Sequence, residues 1–260
     1  MDALIQALER SRSKPSAAKQ SGLLVSRRDE IAEIGSLEAA LAKPNSARRV
    51  DAALLKANHV VAFDPADPIS RTFDLLRNRL LAELSGKSHV IAVTSPEPGC
   101  GVSVIAANLA FSIARLRDRH VALSDMNSPS TLPQLMALDA DARNAPDRLA
   151  LAQVQAGEAT ILTSSTADAL RELDHRTSLP ALGAAWQSQL RHQLSPITIV
   201  VDLPPLLSND DVAPLAYNSD AVVLVLGVGQ STVTELENCK SILPETRTHV
   251  LLNKTRKHGL

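Results

Sequence analysis

The run His89-Val90-Ile91-Ala92-Val93-Thr94, followed by Ser95-Pro96-Glu97-Pro98-Gly99-Cys100-Gly101-Val102-Ser103, decides the fold. Its first six residues are β-branched and apolar and stop at a Pro/Gly cluster, which reads as a buried strand. The apolar stretch Val102–Arg117 behind the cluster reads as a helix. A strand, a loop with two glycines and a helix form the arrangement of a phosphate-binding P-loop: main-chain N–H groups approach phosphate oxygens, and the helix N-terminus adds partial positive charge. Yet the pattern G-x-x-x-x-G-K-S/T is not met, because Pro96 stands at its first Gly and Val102 at its Lys. The loop therefore carries no cation. A hydrogen bond to a charged group contributes about 1.5–3 kcal/mol, so the missing Lys weakens phosphate binding roughly ten- to a hundredfold. Phosphoryl transfer loses more, since charge develops at that position. Ser103 keeps a hydroxyl able to hold Mg²⁺. On spacing alone, the run is equally a plain strand-to-helix turn.

Outward from this stretch, four more β-branched runs appear: His120–Asp125, Ile197–Asp202, Ala221–Gly227 and His249–Asn253. With His89–Thr94 they read as five buried parallel strands. Helix-compatible segments at Leu132–Leu138, Pro180–Leu194, Asp210–Tyr217 and Thr232–Leu243 supply the crossovers. The expected fold is a doubly wound α/β sheet, mostly parallel, with helices on both faces. Ile161–Ser164 is a further candidate strand, and the polar stretch Asp139–Asp147 with Pro146 an exposed loop.

In such sheets ligands bind beyond the carboxyl ends of the strands. Two more ends bear acids there, Asp125 and Asp202. Acids at strand termini beside a P-loop suit Mg²⁺ and phosphoryl transfer, whereas either one alone is equally a cap for its turn. The candidate site is thus Gly99, Cys100, Gly101, Ser103 and Val104 for phosphate, with Asp125 and Asp202 as catalytic residues and Ser103, Asp125 and Asp202 for the metal.

The chain has 260 residues, 45% hydrophobic and 21% charged, with net charge −1. That is a globular composition, and it excludes a generally basic nucleic-acid binder. Aromatics are 2%, too few for base-stacking platforms. Two isolated cysteines, Cys100 and Cys239, fit neither a disulfide framework nor a zinc site and suit a reducing cytoplasm. No apolar run reaches the roughly 18 residues of a membrane span, and the first residues do not form a leader peptide. Residues 1–66 are expected to form a mobile arm, from the Ser/Lys/Arg-rich stretch Arg10–Gly22 and the basic, Ala-rich Ala47–Lys56. Short helices are possible within it at Ala3–Leu8 and Ile31–Leu41. Residues 67–256 then form the α/β domain and 257–260 a tail. The histidines His89, His120 and His249 stand at strand starts, where exposed edges are expected rather than ligands.

Over about Pro68 to Lys254 the chain resembles the P-loop tyrosine kinases of bacterial capsule and exopolysaccharide synthesis, relatives of the MinD and Mrp ATPases. The resemblance rests on Ser95-Pro96-Glu97-Pro98-Gly99-Cys100-Gly101-Val102-Ser103 with Asn108-Leu109-Ala110, on Asp125-Met126-Asn127-Ser128-Pro129, and on Asp202-Leu203-Pro204-Pro205. It implies a P-loop NTPase-like fold, ATP or ADP with Mg²⁺ held weakly or not at all, and an adenine contact at Asn253. The departures fall on catalytic positions: Val102 replaces a Lys, Asn127 an acid. The family's ring-forming E-x-x-R-x-x-R reads Arg71-x-x-Asp74-x-x-Arg77, three residues on one helical face that either pair internally or form a solvated charged face. Autophosphorylating members end in a tyrosine cluster, and this chain has only Tyr217.

The implied function is that of a degenerate, non-catalytic or weakly catalytic cytoplasmic partner in exopolysaccharide synthesis or export. A separate membrane protein, a chain-length-determinant-type co-polymerase, is the implied partner and recruits it to the inner membrane. The alternative is an active ATPase or tyrosine kinase in which Lys87, Arg115 or Lys254 replaces the missing Lys; a MinD- or Mrp-like positioning ATPase is a third reading.

Overall fold

The computed structural model describes residues 45–136, 152–164, 178–208, 210–243 and 247–254. Their core is an eight-stranded sheet of order β1-β4-β5-β3-β6-β2-β7-β8. The strands are β1 (Asn45–Arg49), β2 (His89–Thr94), β3 (His120–Asp125), β4 (Ala152–Ala156), β5 (Ala159–Ser164), β6 (Ile197–Asp202), β7 (Ala221–Gly227) and β8 (Thr248–Asn253). From β5 to β8 all pairings are parallel; β4 runs antiparallel to β5 across the Gly157-Glu158 turn, and β1 lies parallel to β4 at the edge. The helices are α1 (Ala52–Ala57), α2 (Ser70–Glu83), α3 (Val102–Ala114), α4 (Leu132–Leu135), α5 (Leu179–Leu194), α6 (Val212–Tyr217) and α7 (Val233–Ile242).

The central strands are apolar throughout because both their faces are covered, and the period of two divides their side chains between two cores. Ile91, Val93, Val121, Leu123, Val200, Val223 and Val225 pack with α3, Phe73 and Leu80. On the opposite face Val90, Ala92, Ala122, Ile199, Val201, Val222 and Leu224 pack with Trp186, Leu190, Leu215 and Cys239. The doubly wound reading is thus realised, with α2 and α3 on one face and α5, α6 and α7 on the other. Edge strand β8 departs from the expectation of full burial, since Val250 is 47% and Leu252 60% exposed.

Within the segment expected as an arm, residues 45–66 belong to the folded body. β1 pairs with β4, Asp51 caps α1 by accepting from Ala53 N at 2.8 Å, and Leu55, Val60, Val61, Ala62 and Phe63 are buried. Composition pointed elsewhere because β1 lies in the basic, Ala-rich run and offers no alternating apolar signal. Asn108 explains how this segment is held. Its Oδ1 accepts from Val61 N at 2.8 Å and Ala62 N at 2.9 Å, while its Nδ2 donates to His59 O at 2.9 Å and Val104 O at 2.8 Å. All of its hydrogen-bonding capacity is thereby used inside the core. The segments Ala3–Leu8, Ile31–Leu41 and Asp139–Asp147 and the tail 257–260 lie outside the described residues.

Candidate functional site

β2 delivers the chain into the loop 95–101, and α3 begins immediately after Gly101. Gly99 (φ 84°) and Gly101 (φ 91°) occupy the left-handed region, so successive N–H groups turn toward one side of the loop. Among the described residues, no main-chain acceptor meets the N–H groups from Gly99 to Val104; the next one, of Ile105, bonds Gly101 O at 3.0 Å. Free, convergent donors at a helix start form an anion cradle.

Three side chains hold this loop. Ser95 Oγ donates to Glu97 O at 2.7 Å, Gln230 Nε2 donates to Pro98 O, and Asn253 Nδ2 donates to Cys100 O at 2.8 Å. The glycines are required by these approaches: a Cβ at Gly101 would stand 2.5 Å from Asn253 Nδ2, and one at Gly99 3.3 Å from Gln230 Nε2. Cys100 is fully buried, its Sγ 3.6 Å from Ser231 Oγ, so only its main chain faces the cradle. Asn253, implied as an adenine contact, lies beside the loop with its amide nitrogen tied to it. Neither Gln230 nor Ser231 was legible in the sequence, because nothing local marks a residue whose partner lies about 130 positions away.

Asp125 and Asp202 are register partners on adjacent strands, and both point to the α3 face. Both are fully buried. Their hydrogen bonding differs completely. Asp125 Oδ1 accepts from Asn127 N at 2.9 Å and Asn127 Nδ2 at 2.8 Å; Oδ2 accepts from Ser130 Oγ at 2.7 Å and Thr131 N at 2.8 Å. It pins the loop after β3. Asn127 therefore does more than remove an acid: it donates to Asp125 where another acid would repel it. Neither oxygen of Asp202 has a hydrogen-bond partner among the described residues. Burial first, and the neighbouring Asp125 charge second, hold the Asp202 carboxyl well above the usual range; nearby Ser103 and Asn127 offset this only in part, and neither reaches hydrogen-bond geometry. Ser103 Oγ accepts from Thr131 Oγ1 at 3.0 Å, linking the start of α3 to the same loop.

Val102, at the position of the missing Lys, packs its half-buried side chain against the α3-side core. Of the substitute cations, Arg115 closes the far end of α3, where it binds Asp74 at 2.9 Å, and Lys87 precedes β2; each is roughly 20 Å from the loop by the rise of its element. Lys254 stands at the loop, its Nζ 3.3 Å from Gln230 Oε1. The Arg71–Arg77 face is resolved in favour of internal pairing for two of its members. Arg77 is buried and bonds Asp74 at 3.1 Å and Ser112 O at 2.8 Å, while Arg71 remains exposed. His89 is buried rather than at an exposed edge, and His249 Nε2 lies 3.2 Å from Glu83. Among the described residues, no three His, Cys, Asp or Glu side chains cluster as a metal site, and no helix is long and apolar enough to cross a membrane.

No protein-family model matches the chain, and no curated protein matches it. Solved structures do. The chimerical protein CapA2B2 superposes with a TM-score of 0.59 at 19% identity, over 85% of this chain and 98% of that one. The kinase domain of the Escherichia coli tyrosine kinase ETK gives 0.54 at 18% identity, over 77% and 82%, and the BceF tyrosine kinase domain 0.51 at 22%, over 85% and 88%. At these identities the likeness carries the fold, and the chain has the P-loop NTPase-like α/β fold of such kinase domains.

Proposed function

We propose that this chain is a degenerate P-loop protein that holds a Mg-nucleotide weakly, turns it over slowly or not at all, and acts as a regulatory partner in exopolysaccharide synthesis or export. The observation that carries the reading is the contrast within one loop. Its N–H cradle is formed and braced, while the side chain at the cation position is an apolar, half-buried Val102 packed against the core. The motif resemblance supports the polysaccharide connection, and the likeness to tyrosine kinase domains agrees with it in fold. The partner is a separate chain-length-determinant-type membrane protein, and through it the protein is recruited to the inner membrane.

The residues present fit Mg²⁺ at one acid better than at two. Ser103 and Asp202 would hold it, since Asp202 is buried with both oxygens unpartnered. When bound, the ion neutralises phosphate charge. Asp125 acts one step back, fixing the loop 126–132 that places Thr131 against Ser103. Gly99, Cys100, Gly101, Ser103 and Val104 offer main-chain N–H groups to phosphate, and Asn253 holds the loop against the nucleotide side.

Calorimetric titration of Mg-ATP and Mg-ADP, with ATP turnover measured beside it, tests this. Weak binding without turnover, tightened by Val102→Lys, is expected. Turnover by the native protein that Asp202→Ala abolishes would establish the alternative, a working ATPase or kinase, for which Lys254 beside the loop is the supporting observation. Failure to co-purify with a membrane co-polymerase from native membranes would sink the partner assignment.

A further inference from the structure

The cradle is short of positive charge. Asp125 and Asp202 lie buried beside it, the second with its carboxyl held well above the usual range and so ready to ionise only against added positive charge; Glu97 lies within the loop, and Val102 brings no cation. A phosphate chain adds further negative charge, so the N–H groups alone face an unfavourable field. Among the described residues, Lys56, Arg77, Arg79, Arg115, Arg117, Arg119 and Arg191 are each paired with an acid, and Arg115 and Lys87 lie at the far ends of their elements.

Lys254 differs. Among the described residues its ammonium has a neutral amide as its partner, Gln230 Oε1 at 3.3 Å. The other end of that amide, Gln230 Nε2, donates to Pro98 O, and the amide lies against Gly99, its two polar atoms 3.3 and 3.8 Å from where a Cβ would be. Lys254 itself has φ 61°, a left-handed turn directly after Asn253, whose side chain holds Cys100 O. The turn sets the ammonium on the loop side of the sheet end. One side-chain amide separates it from the loop, and the unpartnered Asp202 marks the same strand ends as a ligand site.

We propose that Lys254, positioned by Gln230, supplies the cation of the phosphate loop in place of the residue at 102, and that its ligand is the phosphate chain of a nucleoside di- or triphosphate. The proposal rests on the reading of the loop as a nucleotide site. Gln230 is a positioning residue: it orients the ammonium with one end of its amide and the loop with the other.

The test is titration of Mg-ADP into the full chain as native protein, Lys254→Gln, Lys254→Arg, Val102→Lys and the Val102→Lys/Lys254→Gln pair. Lys254→Gln should weaken binding roughly ten- to a hundredfold, while Lys254→Arg stays within about threefold. With Val102→Lys present, the loss from Lys254→Gln should shrink to less than about threefold, because the loop then has its own cation. Salt gives a readout that needs no repaired loop: between about 50 and 300 mM, native affinity should fall more steeply than that of Lys254→Gln. Native binding unchanged in Lys254→Gln overturns this proposal alone. An equal loss in both backgrounds, with equal salt dependence, also overturns it, by placing Lys254 on the base or in the fold. Absence of binding by the native protein overturns the nucleotide reading itself, and the proposal falls with it.

Discussion

Asp202→Asn should stabilise this protein, and by an amount that grows with pH. In the native state the Asp202 carboxyl is fully buried, has no hydrogen-bond partner among the described residues and lies beside Asp125 on the next strand, so its ionised form is disfavoured and its pKa raised. In the unfolded chain it titrates near 3.9. Below that value both states are protonated and the carboxyl has no charge to bury. Above it the unfolded chain releases the proton while the native state keeps it, so stability falls by about 1.4 kcal/mol per pH unit until the native pKa is passed. Asn has nearly the same shape and no charge. The difference in unfolding free energy between Asp202→Asn and the native protein should therefore be flat below about pH 4, rise with that slope, and level off where the native carboxyl ionises. Urea unfolding read from the fluorescence of Trp186, the single tryptophan and fully buried, follows both proteins over the pH series. A bound Mg-nucleotide, which favours the ionised carboxyl, should move the plateau to lower pH. A difference that stays flat from pH 4 to 9 would refute the reasoning, because it would mean that Asp202 ionises as freely in the fold as out of it.

Asn108→Ala leaves the buried N–H groups of Val61 and Ala62 without acceptors, at about 1–3 kcal/mol each, so a loss of roughly 2–6 kcal/mol is expected in urea unfolding. A loss under about 1 kcal/mol would remove Asn108 as the clamp on residues 59–62. Gly101→Ala places a Cβ 2.5 Å from Asn253 Nδ2 at a φ of 91° and should weaken Mg-ADP binding more than tenfold, whereas Gly86→Ala, with open space at φ 97°, should leave it unchanged. For Asp74, burial raises the carboxyl, but the Ser112 hydroxyl and the Arg115 and Arg77 guanidiniums outweigh it and hold the pKa below the usual range. Stability from this network is present above about pH 4 and is lost as pH falls through the lowered pKa. Asp74→Asn should therefore lose its destabilising effect in acid, and an effect independent of pH would show the network to be held by packing.

The alternation of apolar runs with helical segments determined the layered sheet, because two-sided burial requires apolar strands and each crossover requires a helix. For the same reason the bounds of β2, β3, β6 and β7 were legible to the residue. The loop glycines and the two strand-end acids were legible too, since strand ends of a parallel sheet converge wherever the chain returns. Tertiary structure alone decided the remainder. β1 forms by pairing with β4, and β4 by pairing with β1 and β5, with little local apolar signal. Asp125 and Asp202 look equivalent in sequence, yet one is occupied by its own loop and the other has no partner among the described residues. Gln230 and Lys254 come to the loop only because β7 lies beside β2 and β8 beside β7, a consequence of strand order that no run of neighbouring residues encodes. Local periodicity reports which side of an element is buried; which distant polar groups then meet depends on how the elements are ordered in the sheet.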